Sequence, residues 1–273
     1  MSGRRHLSVL LGACCLALLP GWALAIGSCE RLVATGVGGP PYLWQDPQNP
    51  ERLIGASAEL LQRVTGELGL ALDVVHAGNA QQAEQAVASG RIDVLIGTRL
   101  ELARLERMDF IHPALHVAPV VVWVAKGRDF PYQGWEDLRG RQGVRLAEPL
   151  PPGFERLAAS QLKLEEAPSL SRAMDSLLQG RSEYLLHEHF HGQALALRLG
   201  LVDGLEVLEP PIASQDLYIA LSHSSVCNEP WLRGQLARKL TELSATDAAR
   251  SALQDHLRRW ASQQVQMDAE VNQ

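Results

Sequence analysis

The chain is poor in the features that mark most common chemistries. Only 4 of its 273 residues are cysteine, and none stand as Cys-x-x-Cys, so dithiol redox chemistry is not encoded. No Gly-x-Ser-x-Gly is present to place a serine nucleophile on a strand-to-helix elbow. A Walker loop is also missing, and Gly36-Val37-Gly38-Gly39 lacks the third glycine and following helix of a dinucleotide fingerprint. Basic blocks are absent and the formal charge is −6, which argues against nucleic acid or an anionic membrane as a partner. No apolar run reaches the roughly 20 residues of a membrane span; residues 117–125 are only strand length. Neither repeats at solenoid periods nor low-complexity tracts occur, and no cofactor is implied.

What is present begins with a leader. Arg4-Arg5-His6 precedes an apolar run over 7–19, then Pro20-Gly21 and Ala23-Leu24-Ala25. A basic start, a short apolar core and small residues at −3 and −1 make a secretory signal peptide, cleaved after Ala25, and imply a periplasmic protein. Leu11-Gly12-Ala13-Cys14 also fits a lipobox, but leaves too little apolar core before Cys14, so a lipoprotein is not expected. Two cysteines leave with the leader. Cys29 and Cys227 remain as an even pair in an oxidising compartment, and a disulfide between them is predicted.

The remaining length suits two lobes better than one large core. Periodicity gives short strands over 31–35, 70–76 and 92–96, alternating with helices over 60–68 and 81–89, the beat of a doubly wound α/β sheet. A β-branched strand follows over 117–125, then strands over 142–147, 162–165 and 183–187, with helices over 154–160 and 190–199 between them. Ser169 is placed to cap another helix. Strands over 206–208 and 217–221 come last, and residues 231–260 read as helical, with a tail after Gln264 expected to fray. The lobes expected are 26–125 with 222–264, and 126–221, with 265–273 as the tail.

The most informative stretch is 90–113. An apolar strand opened by Gly90 and closed by Gly97 is followed by a short helix over 101–107, then by Asp109-Phe110 and Pro113. Arg104 thereby sits just past the carboxyl end of a strand, where open α/β sheets bind ligands. Its planar guanidinium matches a carboxylate with two parallel hydrogen bonds. Gly90, Asp93, Arg104, Asp109, Phe110 and Pro113 fall where they do in the extracytoplasmic solute-binding proteins of bacterial family 3, the polar amino-acid type, and the stretch resembles that family. Trp135-Glu136-Asp137-Leu138-Arg139-Gly140 resembles a second landmark of the same family.

The resemblance implies a two-lobed periplasmic-binding-protein-like fold, each lobe a mainly parallel sheet flanked by helices, joined by two hinge crossings. It implies a monomer that binds a small amino-acid-like solute and serves an inner-membrane ABC permease or a sensor. Arg104 would take the solute carboxylate, helped by Thr98 and the amides near Gly97. Tyr42 and Trp44, after Pro40-Pro41, would stack on the solute, and Glu188 would accept its amine. Three departures stand out. Ala80 replaces an aromatic wall, the 149–152 segment offers prolines where amides are wanted, and Glu101 places a negative charge beside Arg104. They leave room for a larger or differently charged solute. His187, His189 and His191 invite a metal reading, but a strand ending near His187 would scatter the rings. The rival function is a cyclohexadienyl-dehydratase-type enzyme of the same fold, with Glu188 or Glu101 as general acid.

Overall fold

In the computed structural model, residues 29–271 are described, with side chains through residue 266; the leader, its cleavage point and Cys14 lie outside them. Strand β1 (Arg31–Gly36) opens the fold. A hairpin of β2 (Trp44–Asp46) and β3 (Asn49–Ile54) follows, a feature the sequence pattern did not reveal. The Asp46 carboxylate takes the Gln48 amide at its turn (3.0 Å), a side-chain turn that reads as loop in sequence. Then come α1 (Ala56–Glu67), β4 (Ala71–Val74), α2 (Ala80–Ala88), β5 (Val94–Thr98) and the single-turn α3 (Leu102–Leu105). Asn79 and Gln82 exchange side-chain to backbone bonds at the start of α2, a capping box that fixes where this helix begins.

Two strands of 18 residues, β6 (Met108–Ala125) and β10 (Leu205–Ser222), carry the chain between the lobes. They pair antiparallel along their length, from Leu205 opposite Ala125 to Ser222 opposite Met108. Each was expected as separate short pieces. The interruptions fall at prolines and register shifts, such as the one between Leu208 and Ala213, and the strands continue past them. Between them lie β7 (Gln142–Leu146), α4 (Pro152–Gln161), β8 (Lys163–Ala167), α5 (Leu170–Leu178), β9 (Tyr184–Glu188) and α6 (His189–Arg198). Ser169 caps α5, accepting from the Arg172 amide.

The sheet order is β4-β1-β5-β10-β6-β9-β7-β8. β4, β1 and β5 are mutually parallel at one end, and β9, β7 and β8 at the other. Each end has its own apolar layers. Leu32, Ile96, Leu61 and Leu236 share one cluster and Val87, Leu95 and Met108 another on the first lobe. Val122, Leu138 and Tyr184, and then Met174, Leu177 and Leu185, form two more on the second. Separate cores on a shared pair of strands are the physical meaning of two lobes.

The last helical stretch is two helices, α7 (Pro230–Ser244) and α8 (Ala248–Val271). The Thr246 hydroxyl donates to the Leu243 carbonyl (2.7 Å) and accepts from the Ala248 amide (3.2 Å), ending one helix and starting the next. α8 stays helical to Val271, where a frayed tail was expected. Cys29 and Cys227 are joined, as predicted, with Cα atoms 5.0 Å apart.

Candidate functional site

Between the lobes lies a cavity of about 710 Å³, facing the carboxyl ends of the parallel strands. Gly97 and Thr98 at the end of β5 line it, with Arg104 and Glu101 from the α3 turn and Tyr42 from the loop after β1. The other wall is His187, His191, Arg198 and Pro149 of the second lobe.

Arg104 is held on two edges. Its Nε donates to Glu84 Oε2 (3.0 Å), and Nη2 forms an ion pair with the same oxygen at 2.9 Å. Its Nη1 donates to the Arg99 carbonyl (3.2 Å) and forms an ion pair with Glu101 Oε1 at 2.7 Å. The side chain is 19% exposed, so it is turned inward and not toward open solvent.

Tyr42 owes its position to the loop around it. Its amide bonds the Gly39 carbonyl (3.0 Å). Gly55, at φ 137°, packs so closely beneath it that a Cβ would lie 2.4 Å from the Tyr42 backbone carbonyl oxygen, so this position requires glycine. The ring meets His116, Phe190 and His191 edge-on. Its hydroxyl crosses the cleft to Glu188 Oε1 (2.9 Å). Burial, then the neighbouring Glu188 charge, push the Tyr42 pKa upward, so the phenol keeps its proton and is the donor.

Glu188 stands at the N-cap of α6. It accepts from the Phe190 amide (3.0 Å) and the His191 amide (2.7 Å) as well as from Tyr42. The helix-start acid read from sequence is what its geometry shows, and Glu188 is not in the wall of the main cavity. It borders a smaller adjoining recess shared with Tyr42, Arg99 and His187.

Trp44 is placed elsewhere. Its ring packs edge-on against Trp260 and His256, and its Nε1 donates to Gln263 (3.1 Å). The cavity wall nearby is instead Trp260. Ala80 lines the cavity as a small residue. The proline-rich segment contributes a carbonyl where an amide was sought: Pro149 O accepts from Arg99 Nη1 (3.1 Å).

The histidines part company. His187 and His191 face the cavity with rings 6.4 Å apart, whereas His189 stacks on Trp123 and borders a different hollow. No group of three or more metal-ligating side chains is assembled among the described residues. Burial, and secondarily His191, lower the His187 pKa to about 3.

Sequence reading missed Arg99 and Arg198 as lining residues. Arg99 follows Thr98 directly, so the strand-end rule that found Arg104 reaches it too. The alternation of histidines drew attention to His191, but not to its partner in the other lobe. The Nε2 of His191 accepts from the Gly39 amide across the cleft (3.2 Å), 152 residues away.

Solved structures share this fold at low identity. The second substrate-binding domain of Lactococcus lactis GlnP, in an open conformation, superposes with a TM-score of 0.67 at 16% identity, covering 85% of this chain and 97% of that one. Streptococcus pneumoniae AbpA, an amino acid ABC transporter substrate-binding protein bound to L-arginine, gives 0.59 at 15%, covering 85% and 96%. A histidine kinase sensor domain with similarity to periplasmic binding proteins gives 0.59 at 22%, covering 84% and 96%. No curated protein matches the chain. The model of the bacterial extracellular solute-binding proteins, family 3, matches residues 32–263, and the chain belongs to that family.

Proposed function

We propose that the protein captures a small polar, carboxylate-bearing solute of amino-acid type in the interlobe cavity and delivers it to an inner-membrane ABC importer. One observation carries this reading: a single cavity is walled by Thr98, Arg104 and Tyr42 of one lobe and His187, His191 and Arg198 of the other. A solute there contacts both lobes together, and that shared contact is what couples binding to lobe movement. Arg104 takes the carboxylate, Thr98 and the amides near Gly97 assist, and Tyr42 with Glu188 faces the remaining polar end. Trp44 acts from behind, through its packing on Trp260. The protein works as a monomer in the periplasm after loss of its leader at Ala25.

Binding, not turnover, is the role proposed for Glu188. Its carboxylate already acts as an acceptor, from Tyr42 and two helix amides, which is the part a solute amine would ask of it. A sensor as the receiving partner is the second reading, favoured by the fold shared with a histidine kinase sensor domain.

Mass spectrometry of solute carried through native purification identifies the ligand. Arg104→Ala is expected to abolish the thermal shift that this solute produces. An unchanged shift removes Arg104, and the carboxylate seat with it.

A further inference from the structure

The guanidinium of Arg104 is one positive charge facing two carboxylates, and the two are not equivalent. Glu84 reaches it from α2 and is not part of the cavity wall, whereas Glu101 and Arg104 both are. Glu84 Oε2 takes the Nε and Nη2 edge at 3.0 and 2.9 Å, which fixes the plane of the fork. Glu101 Oε1 sits 2.7 Å from Nη1, on the cavity side. The Glu101 side chain is 53% exposed and caps no amide of its short helix. Pairs at i,i+3 with one partner this exposed are among the weaker ion pairs.

We propose that Glu101 is a displaceable occupant of the Arg104 seat, holding the place a solute carboxylate takes and setting affinity by competing for it, while Glu84 positions the guanidinium from behind. The physical reason is charge. With both acids in place, a third carboxylate meets a seat whose single cation is already over-neutralised, so it enters only as Glu101 swings out. Once displaced, Glu101 still stands one helical turn away and repels the newcomer. The proposal deepens the solute-binding reading above and rests on it. It adds opposite signs for the two acids: removing the Glu101 charge frees the seat, and removing the Glu84 charge loosens it.

The test uses the full chain and its Glu101→Gln, Glu84→Gln, Arg104→Ala and Glu101→Gln/Arg104→Ala variants. The probes are the standard L-amino acids, with acetate and propionate as bare carboxylates, and the readouts are calorimetry and thermal shift. Glu101→Gln is expected to bind its best carboxylate probe roughly 5- to 30-fold more tightly than the unmodified chain. Glu84→Gln is expected to bind it more weakly, and the double variant to lose the gain. Equal or weaker binding by Glu101→Gln, or a gain that survives Arg104→Ala, overturns the proposal. So does a freed fork that seats no probe at all. If Arg104→Ala weakens binding while Glu101→Gln changes nothing, the carboxylate seat stands and the competition alone is refuted. Melting curves of each variant without probe separate these effects from loss of folding.

Discussion

The hydroxyl of Tyr42 donates to Glu188 across the interlobe cleft at 2.9 Å, joining a loop of one lobe to the first turn of a helix in the other. It is one of several such bridges. The Gly39 amide donates to His191 Nε2 beside it, and Arg99 reaches the Pro149 carbonyl farther along the cavity. On α8, Trp260 Nε1 donates to the Ala194 carbonyl of α6 (3.2 Å). The cleft is therefore spanned by the chain's own polar contacts, and solute binding and lobe movement must both exchange against them.

Tyr42→Phe tests how much of that spanning depends on one hydroxyl. The substitution keeps the ring and its edge contacts with His116, Phe190 and His191. It leaves Glu188 with two amide donors in place of three. A hydrogen bond to a charged acceptor contributes about 1.5–3 kcal/mol, and a partner that water replaces in part brings this to about 1–2 kcal/mol. Urea unfolding is expected to show that loss, and small-angle scattering a more open pair of lobes. Unchanged stability together with an unchanged scattering profile would show that the bond bridges the lobes without holding them.

Much of this architecture was legible because it rests on local period. The β5 run, the Leu60, Leu61 and Val64 stripe of α1 and the Ser169 cap each announce themselves within a few residues. The Cys29–Cys227 link followed from arithmetic and compartment. What stayed hidden was set by distant partners. β6 and β10 are continuous because each pairs with the other for most of its length, although prolines punctuate both sequences. Around the residues proposed for the site, Glu101 beside Arg104 and a helix start at Glu188 were legible from spacing, but Glu84, which reaches Arg104 from α2, was not. Trp44 shows the same limit. An aromatic after a Pro-Pro turn looks the same in sequence whether it meets a solute or the indole of Trp260.

Reduction of the disulfide gives the largest expected change in stability. Cys29 and Cys227 are separated by 198 residues, so the link ties the entry of β1 to the loop before α7 across most of the chain. Loop-closure entropy for a span of that size is about 5 kcal/mol, an upper figure because unfolded chains retain structure. Cys29→Ser/Cys227→Ser is expected to lose about 2–5 kcal/mol in denaturant unfolding and to keep its solute affinity, since neither residue borders the cavity. A double variant as stable as the unmodified chain would mean the link adds nothing beyond the packing around it.

His116 should make the fold sensitive to acid. It lies on β6, 2% exposed, with Nε2 3.0 Å from the Ser57 hydroxyl and Nδ1 buried without a partner. Burial lowers its pKa from 6.5 to about 3. The folded ring therefore stays neutral while the unfolded chain takes up a proton below 6.5, so the unfolded state binds more protons and stability falls with pH. The contribution is fully present above 6.5, declines as pH drops from there, and levels off near 3, where the folded ring also protonates. Within that window one such group costs about 1.4 kcal/mol per pH unit. Denaturant unfolding from about pH 7 to about pH 5 is expected to show a loss of about 2 kcal/mol from this residue. His187, lowered to about 3 by burial and by His191, acts in the same direction. In His116→Asn, which does not titrate here, the slope should be shallower by roughly the single-group amount, about 1.4 kcal/mol per unit. A variant with the slope of the unmodified chain would show that the acid sensitivity comes from other groups.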